Sequence, residues 1–111
     1  MAYDEHLADR IREILAVEPD LTEQRMFGGL AFLLAGNMAM AASGGGALVR
    51  VEPSTVDKLV ASTAAEPMEM GGRTMRGWVH VDGSALRTKR QLSAWARRGT
   101  AMARSLPPKA R

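Results

Sequence analysis

No cysteine occurs in this 111-residue chain. That absence excludes a disulfide scaffold, a thiolate zinc site and a cysteine nucleophile together, and it fits a reducing compartment. Histidine is nearly as scarce, with His6 and His80 alone. No H-E-x-x-H or similar spacing joins either to a metal-ligating set, so no metal is expected. Aromatic residues make up 5% of the chain against eight methionines. A core poor in rings must be filled by aliphatic side chains and flexible thioethers. Long apolar runs are missing too. The longest, around residues 30–34, falls far short of the roughly 20 residues needed to span a bilayer. The opening Met1-Ala2-Tyr3-Asp4-Glu5-His6 is acidic and leads into no apolar segment, so no signal peptide is read there. A cytoplasmic protein with no membrane partner is expected.

What is present fits one domain over residues 1–111, long enough to close a core without staples. Apolar residues at 46% and charged residues at 24% are ordinary globular proportions. The net charge of +3 conceals a division. Residues 1–71 hold 5 basic and 11 acidic side chains, and residues 72–111 hold 10 basic and 1 acidic. Such asymmetry points to nucleic acid or an acidic partner, or to two ends of the chain that neutralise each other on folding.

The pattern along the chain predicts α+β structure. Residues 4–17 read as an amphipathic helix, with Leu7, Ile11, Ile14 and Leu15 on one side. Residues 26–34 read as a strand interrupted by Gly28-Gly29, where a bulge, a bend or a close backbone approach is expected. Ala35-Gly36-Asn37 is a turn signal, because Gly and Asn tolerate positive φ. Strands over residues 38–42 and 47–51, joined by Ser43-Gly44-Gly45-Gly46, complete an antiparallel meander. Ser54 is placed to cap a short helix carrying Val56, Leu59 and Val60. Residues 62–66 read as a loop and 67–70 as a strand. A turn at Gly71-Gly72, an extended piece over 73–76 and a strand over 77–81 follow. The last helix opens with the capping box Thr88-Lys89-Arg90-Gln91 and stops at Pro107-Pro108.

No complete catalytic set is readable. Ser43-Gly44-Gly45-Gly46 lacks the Lys and Ser/Thr of a P-loop, and no serine stands in a nucleophile elbow. A non-enzymatic domain with no cofactor is therefore expected. His80 and Asp82, two apart on a strand, share a face and can orient a base or a ligand. Together with Arg25 and Arg50 they form the candidate pocket of an alternative reading, a small-ligand or enzymatic site, which requires convergence on one cavity. The candidate binding surface is a stripe on the last helix. Arg90, Arg97 and Arg104 recur every seven residues opposite its apolar face, spaced to meet phosphates or to lie solvated. The methionines offer a further surface, adaptable enough for partner binding.

Arg25-Met26-Phe27-Gly28-Gly29, Gly36-Asn37-Met38 and Leu48-Val49-Arg50-Val51 resemble the N-terminal domain of the TfoX (Sxy) competence-regulator family. Met70-Gly71-Gly72-Arg73, Gly77-Trp78 and Arg104-Ser105-Leu106-Pro107-Pro108-Lys109 are similar to its stand-alone, single-domain members. The resemblance runs from about residue 3 to 109. It implies an antiparallel sheet flanked by N-terminal and C-terminal helices, with no established enzymatic activity. Two-domain members regulate transcription of DNA-uptake genes alongside a cyclic-AMP receptor protein. This sequence reaches Arg111 without a second helical domain, so a competence role is not carried over. The expected partner is another protein, with nucleic acid on the basic helix as a second option. A homodimer through an uncovered sheet edge is a third.

Overall fold

A computed structural model describes residues 3–26, 28–70 and 72–107. Helix α1 (Glu5–Leu15) starts where the Asp4 carboxylate accepts from the backbone N–H groups of His6 and Leu7. Six strands follow: β1 (Leu21–Met26), β2 (Gly29–Leu34), β3 (Asn37–Ser43), β4 (Gly46–Arg50), β5 (Ala65–Met70) and β6 (Arg73–Asp82). A 3-10 turn (Pro53–Thr55) and helix α2 (Val56–Ser62) separate β4 from β5. A second 3-10 turn (Gly83–Ala85) precedes helix α3 (Lys89–Arg104).

The strands form one antiparallel sheet in the order β1-β2-β3-β4-β6-β5. The helices gather on one face. Leu7, Ile11 and Leu15 of α1, Leu59 of α2 and Leu92, Trp95 and Ala96 of α3 share a core with Leu30, Phe32, Met40, Val49, Val79 and Val81. Each fully buried leucine there contributes about 1.5–3 kcal/mol. Helix α3 comes closest. A Cβ on Gly99 would lie 2.4 Å from the Ala39 carbonyl oxygen, so the helix rests on the backbone of β3.

The predicted helices and the α+β class match the structure, and the Thr88–Gln91 capping box is present in both directions. Several details differ. The strand expected over 26–34 is two strands, β1 and β2, joined across a turn that includes Gly28 (φ 72°). Phe27 lies outside the described residues. Gly29 supplies the close approach, since a Cβ there would sit 2.1 Å from the Ala42 carbonyl oxygen. In the next turn the positive φ falls on Ala35 (52°) and Gly36 (83°), while Asn37 already belongs to β3.

Ser54 caps nothing. It lies inside the 3-10 turn, and α2 begins after Thr55, whose hydroxyl donates to the Glu52 carbonyl. β5 starts at Ala65, within the expected loop. The expected extended piece and strand over 73–81 are one strand, β6, with a register shift opposite it between Pro67 and Glu69 and a positive φ at Gly77. Gly71 and Pro108 lie outside the described residues.

Candidate functional site

The second face of the sheet carries its own apolar cluster. Ala31, Met38, Ala41, Leu48 and Met68 are buried in it, and Met26, Leu33, Met75 and Trp78 are half-buried around them. No helix contributes a residue to this cluster. Among the described residues, its cover is its own side chains, four of them the thioethers of Met26, Met38, Met68 and Met75. Met side chains rotate freely and repack at little cost, so such a cover yields to an incoming surface more readily than a packed helix does.

Strand pairing explains how polar groups reach the same face. Directly paired residues of an antiparallel ladder project to one side. Leu48 pairs with His80, Arg50 with Trp78 and Gly46 with Asp82, which puts Arg50, His80 and Asp82 in a row beside the apolar cluster. The Arg50 guanidinium lies 5.3 Å from the Trp78 ring centroid, and its Nη1 donates to the Met38 carbonyl at 3.3 Å. His80 lines a shallow groove of about 410 Å³ with Ser43, Leu48, Glu66, Pro67, Met68 and Glu69. Asp82 accepts from the Ser84 backbone N–H at 3.0 Å and caps the 3-10 turn. That bond, the Ser84 hydroxyl and, to a smaller degree, His80 hold its carboxyl below the usual range.

Arg25 stands apart. It pairs with Leu30, a residue of the helix-side core, so it projects to the opposite face from Arg50 and His80. β1 and β6 are four strand steps apart, roughly 19 Å. The structure therefore places Arg50, His80 and Asp82 on one face of the sheet and Arg25 on the other. Among the described residues, no group of three or more His, Asp or Glu side chains is arranged to hold a metal.

The arginine stripe is divided as well. Arg104 donates to Asp20 at 2.6 and 2.7 Å and to Glu18 at 2.6 Å. Its guanidinium holds the Asp20 carboxyl below the usual range. Two carboxylates thus engage one guanidinium, so Arg104 is not a free cation of the stripe. Arg90 and Arg97 are exposed and form no ion pair among the described residues. Arg98 lies over Trp95, 5.1 Å from the ring centroid. A second clamp joins α1 to β1, where Arg12 holds Glu23 through two nitrogens and Asp9 through one. The Arg12 clamp lies within residues 1–71, so it is Arg104, on Glu18 and Asp20, that joins the basic part of the chain to the acidic one.

The apolar second face left a sequence signal. Gly29–Leu34 has no polar residue, and Asn37–Ser43 has polar residues only at its ends. A strand apolar at every position is covered on both faces or offers one of them. Periodicity alone does not say which.

An antiparallel sheet with helices on one face and a methionine-rich apolar cluster on the other defines an open-faced α+β domain. No curated protein matches the chain. Residues 13–103 match the family model of the TfoX N-terminal domain. The chain belongs to that family.

Proposed function

We propose that this chain is a non-enzymatic regulatory module of the cytoplasm that docks a protein partner on the second face of its sheet. The observation that carries the reading is the cluster of Met26, Leu33, Met38, Leu48, Met68, Met75 and Trp78, to which no helix contributes. Arg50, fixed over Trp78, supplies one cation at its border. The matching partner is a segment with apolar side chains for the cluster and a carboxylate for Arg50, which a desolvated rim makes worth more than in water. Membership of a competence-regulator-like family supports a link to transcription control. No helix among the described residues is long and apolar enough to cross a membrane.

The test uses three forms of the intact chain: wild type, a Leu33→Lys/Met75→Lys face variant and an Arg90→Glu/Arg97→Glu helix variant. Far-UV circular dichroism checks that each is folded. A protein held by the wild type and the helix variant, lost by the face variant and weakened by Arg50→Ala supports the reading. A partner lost only by the helix variant moves the interface to α3. DNA or RNA retained at low salt, released steeply as salt rises and lost by the helix variant replaces the reading with a phosphate-binding one.

A further inference from the structure

The two edges of the sheet are built differently. β5 carries Pro67, which has no N–H to offer, and its pairing is broken between Pro67 and Glu69. Proline and irregularity are the usual guards of an edge strand. β1, at the other edge, has neither. It runs Leu21-Thr22-Glu23-Gln24-Arg25-Met26 in unbroken register with β2, and its four central residues are exposed.

The direction of each backbone group on β1 follows from the turns. Residues flanking a two-residue hairpin loop form a hydrogen-bonded pair, and bonded pairs then alternate along the ladder. Met26 and Gly29 flank one such loop. Thr22, Gln24 and Met26 therefore bond to β2, while Leu21, Glu23 and Arg25 direct N–H and C=O away from the sheet. The Leu21 N–H, which donates to the Glu18 carbonyl outside the sheet, agrees with this. Glu23 and Arg25 are left with outward backbone groups and opposite charges, two residues apart; the Glu23 carboxylate, although held by Arg12, keeps acceptor sites for a second guanidinium.

We infer that β1 pairs antiparallel with the β1 of a second copy, about a two-fold axis through Gln24. Only registers that set odd residues opposite odd residues bring outward groups face to face. Centred on Gln24, Glu23 meets Arg25 of the second copy, and Arg25 meets its Glu23. Centred one residue earlier, Glu23 faces Glu23. Centred one residue later, Arg25 faces Arg25. Opposite charges across an antiparallel pair attract and like charges repel, so the charges select one register of the three. The Cβ atoms of Gln24 and its copy then lie about 5 Å apart in a non-hydrogen-bonded pair. Thr22 stands opposite Met26 of the second copy, and the apolar faces join across the axis. Both helical layers lie on the same side of a sheet that runs through the two copies. This pairing concerns the edge and stands whether or not the second face docks a partner.

The absence of cysteine makes the test direct. A Gln24→Cys chain is expected to cross-link to itself rapidly under mild oxidation, at least about tenfold faster than a Glu23→Cys chain, whose thiols stand in offset positions. Sedimentation velocity over a concentration series is expected to show a dimer for the wild type. Arg25→Glu places like charges opposite each other twice and weakens dimerisation by at least about tenfold. Arg25→Lys retains it. Arg25→Pro removes one outward N–H, leaves the β1–β2 bonds intact and gives a monomer. Circular dichroism separates loss of pairing from loss of fold. A wild type that stays monomeric up to millimolar concentration overturns the inference. So does a dimer indifferent to Arg25→Glu and Arg25→Pro, or a Gln24→Cys chain that cross-links no faster than Glu23→Cys.

Discussion

Replacing Gly99 by alanine sets two physical effects against each other with opposite signs. Gly99 lies inside α3, where alanine is the better helix former by about 1 kcal/mol. On propensity alone the variant is more stable. The structure predicts the reverse. The new Cβ would meet the Ala39 carbonyl oxygen at 2.4 Å and its carbon at 3.1 Å. Ordinary contact requires the helix to withdraw by roughly 1 Å, and close-packed cores absorb such a shift poorly. Neither side yields easily, because β3 is the third strand of the sheet and Trp95 and Ala103 flank Gly99 in the packed face. Overpacking of this kind costs typically 1–3 kcal/mol. At the upper end, less the propensity gain, the net loss is about 2 kcal/mol. For a domain of this size that lowers Tm by roughly 8 °C and the urea midpoint by about 1 M. Gly45→Ala is the control. Its Cβ meets nothing within 4 Å and its φ is not positive, so it is expected to change stability by less than about 1 kcal/mol. Thermal and urea unfolding followed by circular dichroism measure both. A Gly99→Ala chain as stable as the wild type, or more so, refutes the close-approach argument.

Ala35 holds φ 52° beside Gly36 at 83°, a pairing that Asn-Gly adopts with less strain. Ala35→Asn is expected to stabilise the chain by about 0.5–1 kcal/mol in the same unfolding assay. The buried Asn37 amide donates to the Pro107 carbonyl at 2.8 Å, so Asn37→Ala is expected to cost about 1–2 kcal/mol and to raise hydrogen exchange at the end of α3. Hydrogen bonding to Arg12 lowers the Glu23 carboxyl below its ordinary value. A depressed folded-state value means the clamp stabilises fully above the unfolded value, about pH 4.3, and that contribution is lost as pH falls through the folded value. Because both side chains are partly exposed, the contribution is about 0.5 kcal/mol at neutral pH. Glu23→Gln is expected to remove that part of the acid-side slope in a pH series of urea midpoints, and added salt to diminish it.

The elements that sequence made plain are those whose signals are local. α1 and α3 have a periodic apolar face and side-chain caps within three residues of their starts. β1 leaves no periodic signal, because an edge strand shows too little burial to produce alternation, and Leu21-Thr22-Glu23-Gln24-Arg25 reads as polar chain. The Gly77 kink concealed that β6 is one strand. The arginine stripe was visible by spacing, yet the carboxylates that engage Arg104 come from Glu18 and Asp20, more than eighty residues earlier. No local pattern encodes that meeting. The candidate pocket failed to converge for a related reason. Parity along a strand is readable, as for His80 and Asp82, but the face to which Arg25 points depends on how β1 registers against β2 across the turn at Gly28. The methionine-rich composition was evident beforehand, whereas the face it occupies required the sheet.

Helix α3 is the last of the described elements in chain order and the one that rests on β3 and β4. On a ribosome, the four-strand meander is therefore complete before its cover exists. Roughly fifty more residues must be added after Arg50 before Arg104 emerges, about 3–10 s of synthesis, whereas hairpins form in microseconds. Early in that interval Phe32, Met40 and Val49 are held by α1 alone and β4 lacks β6 as its neighbour; α2, β5 and β6 are added next, and α3 closes the face last. The nascent chain thus offers an uncapped apolar sheet for seconds. A holdase chaperone is expected to engage it there, and premature termination before α3 yields an aggregating fragment in place of a smaller folded domain.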